Sequence, residues 1–162
     1  MPHEPLLVTL SQIGAVFAGF MAIFIALVQR DGRMDRVAAL RARSILYASV
    51  ITIFGSLLPL VLFAVGLSEM MSWKLSAAVT VIVGVGLAIE GAGHQLALTP
   101  EQKRATGLIF NIVSWGLPAI STGLAICVAT GLIGTGNYLA GITIMLTLAA
   151  VNFVKISLEQ WL

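Results

Sequence analysis

The sequence has 162 residues, of which 59% are hydrophobic and only 10% are charged, and its formal net charge is +2 at pH 7. An ordinary soluble domain carries about 25% charged residues, so this chain has too few to cover a surface that faces water. The composition excludes a soluble globular domain and makes lipid the expected solvent for most of the chain. The few basic residues are not interleaved with aromatic ones on a basic surface, which excludes a nucleic-acid interface.

The first apolar run covers about residues 6–28 and has the roughly 20-residue length that a spanning helix needs. It follows MPHEP, which contains an acidic residue and no lysine or arginine. A signal peptide begins with a basic region, so we predict a retained transmembrane helix instead. Small residues recur along this run at the spacing that lets helix backbones approach each other, and Gly14 and Gly19 are its predicted packing positions.

An arginine-rich loop, RDGRMDRVAALRAR, leads into a second apolar run at about residues 44–67. Three features stand in order here: the motif SQIGAVFAGF at Ser11–Phe20, this loop, and LLPL, which ends at Leu60. On these features the stretch Thr9–Leu60 resembles a group of small bacterial multi-pass membrane proteins. The resemblance implies location in a bacterial inner membrane and no particular activity.

The third apolar run, about residues 73–98, contains Glu90, the only acidic residue that lies deep in an apolar segment of the sequence. His94 follows one helical turn later on the same face. An ionised carboxylate in hydrocarbon is costly, so we expect Glu90 to be protonated, paired or open to water. Gly86 and Gly93 flank the Glu90 face and predict close packing against another helix.

The fourth and fifth runs cover about residues 105–133 and 138–158, and GTGN, a turn composition, separates them. Before the fourth run, TPEQ at 99–102 has the features of a helix start: Thr at the N-cap, Pro at the first helical position and Gln three residues after the cap. The pattern predicts one helix that begins at this cap and continues into the fourth span. Pro118 predicts a kink near the middle of that span.

Lysines and arginines indicate the orientation, because they concentrate on the cytoplasmic side of membrane proteins. The basic residues after helix one, between helices three and four, and near the C-terminus all fall on one side of a five-helix path. We therefore predict an all-α bundle of five transmembrane helices with the N-terminus outside and the C-terminus cytoplasmic. The whole chain, residues 1–162, is predicted to be a single transmembrane domain without a soluble domain.

This topology brings five polar residues to a similar depth near the cytoplasmic side: Glu90, His94, Asn111, Asn152 and Lys155. One interpretation is a site for a proton, cation or other ligand, in which His94 and Lys155 tune the carboxylate. The other is a structural lock, in which Glu90 pairs with Lys155 or hydrogen-bonds to Asn111. Lys155 has a further possible partner in Glu159, one turn away.

Known catalytic motifs are missing from the sequence, so we predict neither an enzyme nor a cofactor. One His and one Glu do not make a metal site, and the single Cys127 allows no disulfide within the chain. Two functions remain. The first is a homo-oligomeric channel or transport-type protein, because a small chain without internal repeats needs copies of itself to enclose a path. The alternative is an accessory or scaffold subunit of a larger membrane complex, in which the Glu90 cluster is purely structural. The expected partners are the lipid bilayer, other copies of the chain and, in the alternative, foreign membrane subunits.

Overall fold

The computed structural model describes residues 3–30 and 36–159, apart from the side chains of 28–30, 105, 106, 108–110 and 159. Part of the arginine-rich loop, residues 31–35, lies outside the described residues. Every regular element in the described ranges is a helix, in the order α1 Glu4–Arg30, α2 Arg36–Ala64, α3 Glu69–Leu96, α4 Pro100–Thr106, α5 Leu108–Ala129 and α6 Gly136–Glu159. All but α4 are long and apolar enough to cross a membrane. The predicted all-α bundle with five candidate spans is confirmed.

The fourth span differs from the prediction at both ends. The predicted helix start is confirmed, because the Thr99 hydroxyl accepts a hydrogen bond from the Gln102 backbone N–H and the Gln102 side chain accepts one from the Thr99 N–H. The helix does not continue into the span, however. Gly107 has φ +78°, a conformation that favours glycine, and it separates α4 from α5.

The other end of α5 lies at Ala129 rather than at residue 133. Gly131 has φ +78°, and its N–H bonds to the Val128 carbonyl while the Leu132 N–H bonds to the Cys127 carbonyl. This pair of bonds is a Schellman motif, which satisfies the last carbonyls of a helix and stops it. The predicted break between the last two spans is therefore present, but it begins a few residues earlier than GTGN.

Four helices, α2, α3, α5 and α6, form a ring in which each packs against its two neighbours, and α1 packs outside the ring against α2 and α6. Consecutive long helices run antiparallel, because residues near the start of one helix contact residues near the end of its neighbour. Tyr47 of α2 meets Glu90 of α3, for example, and Gln95 of α3 meets Asn111 of α5. Helices that face each other across the ring do not pack along their lengths.

This arrangement places most basic residues at one end of the bundle, which we call the basic end: the start of α2, all of α4 and the last turns of α6. The opposite end holds Trp73, Lys74 and Tyr138. That the basic end faces the cytoplasm stays a prediction from the sequence.

Among the glycines predicted to pack, only Gly14 closely approaches another helix of the chain. A Cβ placed on it would lie 3.1 Å from Ile53 Cγ1 and 3.2 Å from the Ser49 carbonyl oxygen, both on α2. A Cβ on Gly19, Gly86 or Gly93 would have no described atom within 4 Å. Their packing against another chain stays a prediction.

Two glycines that the sequence did not single out also stand at helix contacts. A Cβ on Gly55 of α2 would lie 2.5 Å from Ile142 Cδ1, and one on Gly141 of α6 would lie 3.3 Å from the Ser121 carbonyl oxygen. Close backbone approach in this bundle therefore centres on α2 and α6.

The first test compares Gly14→Leu with Gly19→Leu, two equal changes on the same helix. We expect Gly14→Leu to lower the free energy of unfolding by about 1–3 kcal/mol, because the new side chain overpacks the contact between α1 and α2. Gly19→Leu should change it little. Thermal unfolding in detergent measures both, and equal losses would contradict the packing described for α1.

Candidate functional site

Glu90 is paired with α2 rather than with α5 or α6. Its side chain is 48% exposed, and its carboxylate accepts a hydrogen bond from the Tyr47 hydroxyl at 2.6 Å. The Nε2 atom of His94 lies 3.6 Å from the same carboxylate oxygen, which is beyond hydrogen-bond length. The predicted pairing with Lys155 or Asn111 is not among the described contacts of Glu90.

Arg43 donates a hydrogen bond from Nη1 to Nε2 of His94. A guanidinium has only donors, so His94 is the acceptor in this contact. Arg43 and Tyr47 are four residues apart on α2, as Glu90 and His94 are on α3, so two matching pairs meet across an antiparallel seam. We call these four residues the α2–α3 cluster.

The other three predicted site residues are not among the described contacts of Glu90. Asn111 accepts a hydrogen bond from Gln95 Nε2 at 3.1 Å, and Gln95 Oε1 accepts one from Trp115 Nε1 at 2.7 Å. Asn152 is 1% exposed, and its amide donates to the Ser44 hydroxyl at 3.2 Å.

Lys155 is half-buried on α6, one turn before Glu159, whose side chain lies outside the described residues. The structure thus brings Glu90 and His94 together and assigns Asn111 and Asn152 to separate contacts. That all five residues share one depth stays a prediction.

A cavity of about 450 Å³ lies inside the ring and is lined by all four of its helices. Its wall is mostly apolar and includes Ile51, Leu87, Pro118, Met145 and Leu148. The size is typical of pockets that hold small molecules, about 300–1,000 Å³. The predicted site residue that lines it is His94, whereas Glu90 faces away from it.

At the basic end the lining of the cavity is polar and mostly exposed, and we call this end the mouth and its lining the rim. Arg43, His94, Gln95 and Trp115 belong to this rim. A smaller recess of about 380 Å³ adjoins it, shares Gln95 and Trp115 with the rim, and extends to Asn111 and Lys103. Within the wall, the buried hydroxyl of Ser114 has no hydrogen-bond partner among the described residues.

Two buried aromatic side chains lie at the other end of the bundle, beyond Thr80 at the cavity wall. Trp73 is 0% exposed and Tyr138 is 1% exposed, and their rings pack edge to face with centroids 5.7 Å apart. The Tyr138 hydroxyl donates to the Gly55 carbonyl at 2.9 Å and, having used its proton there, accepts one from Thr80 Oγ1 at 2.8 Å. We call this pair of side chains, at the end opposite Arg43, the aromatic floor.

The site predicted from the sequence did not include Arg43, Tyr47, Gln95 and Trp115. One signal was available, because Arg43 and Tyr47 repeat the four-residue spacing of Glu90 and His94 on the preceding helix. To use this signal, one must know which residues of α2 lie opposite which residues of α3, and the sequence alone does not show that. Groups of three or more potential metal ligands do not occur among the described residues.

Searches among protein-family models, curated proteins and solved structures found no match to this chain. The functional interpretation therefore rests on the geometry of the bundle.

The α2–α3 cluster is tested by a double-mutant cycle with Tyr47→Phe and Glu90→Ala. We expect Glu90→Ala to lower the melting temperature of the wild type more than that of the Tyr47→Phe variant, because the hydrogen bond is already lost in the latter. The matched control cycle combines Glu90→Ala with Lys155→Ala and should be additive. Coupling to Lys155 and none to Tyr47 would restore the pairing predicted from the sequence.

Proposed function

We propose that this protein is a transport-type integral membrane protein that takes a small, largely apolar molecule into the cavity of its own bundle. The observation that carries the proposal is the cavity of about 450 Å³ that four helices of one chain surround. Ligand sites in helical bundles commonly lie between helices and combine apolar walls with a few polar groups. The wall and rim of this cavity have that composition.

The position of the mouth supports entry from the basic end. In this proposal the aromatic floor, at the opposite end, is the barrier to a molecule that has entered. A transport cycle needs a second state in which the floor opens. The hydrogen bonds of Tyr138 to Gly55 and Thr80 are the contacts that would have to break, because they join α6 to α2 and α3.

The cavity also changes the argument for self-assembly. The sequence interpretation held that one chain needs copies of itself to enclose a path, whereas here four helices of one chain line a cavity. With the aromatic floor as its barrier, this cavity is not an open path for ions. A channel for ions would therefore have to run between copies.

A second candidate function, the homo-oligomeric channel, is supported by the outward face of α3. Every third or fourth residue along this face is exposed, in the series Leu75, Val79, Ile82, Gly86, Ile89 and Gly93. The two glycines leave open space at which another helix could approach closely. Glu90 lies beside this face, so a second copy packed there would bring two carboxylates near the seam.

The cavity is tested with Gly91→Phe and Gly86→Phe. Both glycines lie on α3 with no described atom within 4 Å of a placed Cβ, but only Gly91 lines the cavity. The probe is ω-bromododecanol, because bromine quenches the fluorescence of nearby tryptophan and Trp115 is at the rim. We expect saturable quenching that disappears in Trp115→Phe, is lost in Gly91→Phe and is retained in Gly86→Phe. Unchanged quenching in a folded Gly91→Phe variant would contradict the proposal.

The second candidate is tested by size and by ion flux. Detergent-corrected light scattering should show an oligomer that Gly86→Leu dissociates and that Gly19→Leu, a change at an open glycine of α1, leaves intact. If the oligomer is a channel, reconstituted wild type should conduct ions and Glu90→Gln should change the flux. A monomer without flux would rule out the channel and leave the scaffold alternative open.

A further inference from the structure

We infer that the molecule in the cavity is a single-chain amphiphile with an anionic head, and that Arg43 at the mouth holds this head. The inference rests on the proposed function, since it names the ligand of the same cavity. Two observations carry it: the charge at the mouth and the apolar surface deeper in the cavity.

The charge at the mouth comes from Arg43, which lines the cavity from α2 and is exposed. Its described hydrogen bond goes to His94. The nearby carboxylate, Glu90, interacts electrostatically with Arg43, but it accepts its hydrogen bond from Tyr47 at 2.6 Å and lies outside the cavity lining. The guanidinium has five N–H donors and the His94 contact uses one, so donors remain for a ligand.

An anion is the ligand that this geometry favours. Guanidinium groups bind carboxylates and phosphates through two parallel hydrogen bonds, which are stronger than bonds between neutral groups. Replacing the His94 acceptor with an anionic one would strengthen the interaction of Arg43. A cationic head would instead meet a like charge at the mouth, which disfavours a quaternary ammonium ligand.

An amphipathic side chain lies at the rim as well. The ring N–H of Trp115 is bonded to Gln95 at 2.7 Å, and aromatic residues often lie where an apolar region meets a wet one.

Deeper in the cavity the wall is apolar, formed by residues such as Ile51, Leu87, Ala88, Met145 and Leu148. A chain of methylene groups gains from burial on such a surface, although in lipid the gain arises from packing more than from leaving water. One charged end and one apolar end of the cavity therefore match one anionic head and one hydrocarbon chain.

The experiment uses four probes with the same brominated chain and different heads: ω-bromododecanoate, ω-bromododecyl phosphate, ω-bromododecanol and ω-bromododecyltrimethylammonium. Binding is the Trp115-dependent quenching of the full-length protein in zwitterionic nanodiscs. We expect one or both anions to bind wild type at least about tenfold more tightly than the alcohol, the gain expected of a charge-assisted hydrogen bond. A preference for the carboxylate points to free fatty acids, and a preference for the phosphate points to phospholipid-derived heads.

Arg43→Gln should remove the advantage of the anions and leave the alcohol unaffected. The matched control is Arg36→Gln, because Arg36 is exposed on the same helix seven residues earlier and does not line the cavity. It corrects for attraction of anions to the membrane surface. If Arg43→Gln melts at a lower temperature, Arg43→Lys replaces it, which keeps a charge without the two-bond geometry and should retain part of the preference.

The outcomes separate the two proposals. If all four probes bind equally and Gly91→Phe blocks them, the cavity is the binding site, but the assignment of an anionic ligand is wrong. Tighter binding of the ammonium probe would overturn it too, as would an anion preference that survives both Arg43 variants. If Gly91→Phe blocks none of the probes, the proposed function itself is wrong.

Discussion

The hydroxyl of Tyr138 is the interaction on which the shape of the bundle depends. It lies almost wholly buried, where a polar group needs a partner, and its bonds to the Gly55 carbonyl and to Thr80 join α6 to α2 and α3. Gly55 permits this approach because it has no side chain between the two helices. At the basic end, Asn152 and Ser44 join α6 to α2, and the α2–α3 cluster joins α2 to α3. The ring is thus held at both ends, and the cavity lies between the two sets of contacts.

Helix α2 can stand at the centre of the bundle because the residues of its buried face are small and two of its hydroxyl groups are satisfied within the helix. The face includes Ala48, Ser49, Thr52, Gly55 and Ser56. The hydroxyls of Ser49 and Thr52 each donate to the carbonyl four residues earlier, so they enter the contact with α1 and α6 without needing a partner there. In lipid, where close packing drives helix association, such a face favours central placement.

The position of Glu90 illustrates how a correct observation led to an incomplete interpretation. The rarity of the residue in an apolar run marks it as unusual, and its side chain does have polar partners. Those partners come from the preceding helix, and the residue faces away from the cavity. Arg43 and His94, and not Glu90, line the cavity at its mouth. Arg43 reads in the sequence as one of several topology signals, because nothing local distinguishes it from Arg36 or Arg41.

The sequence by itself determined the five spans, the capped start at Thr99 and the break after the fourth span, because apolar length, caps and turn glycines act over a few neighbouring residues. It also determined that basic residues gather at one end. The tertiary structure decided which side of each helix faces which neighbour. That rotation depends on pairwise packing along whole helices, and a turn of about 100° per residue separates a lining residue such as Gly91 from an outward one such as Glu90. The cavity, the partner of Glu90 and the separation of Gly14 from Gly19 all follow from it, so none could be derived from spacing alone.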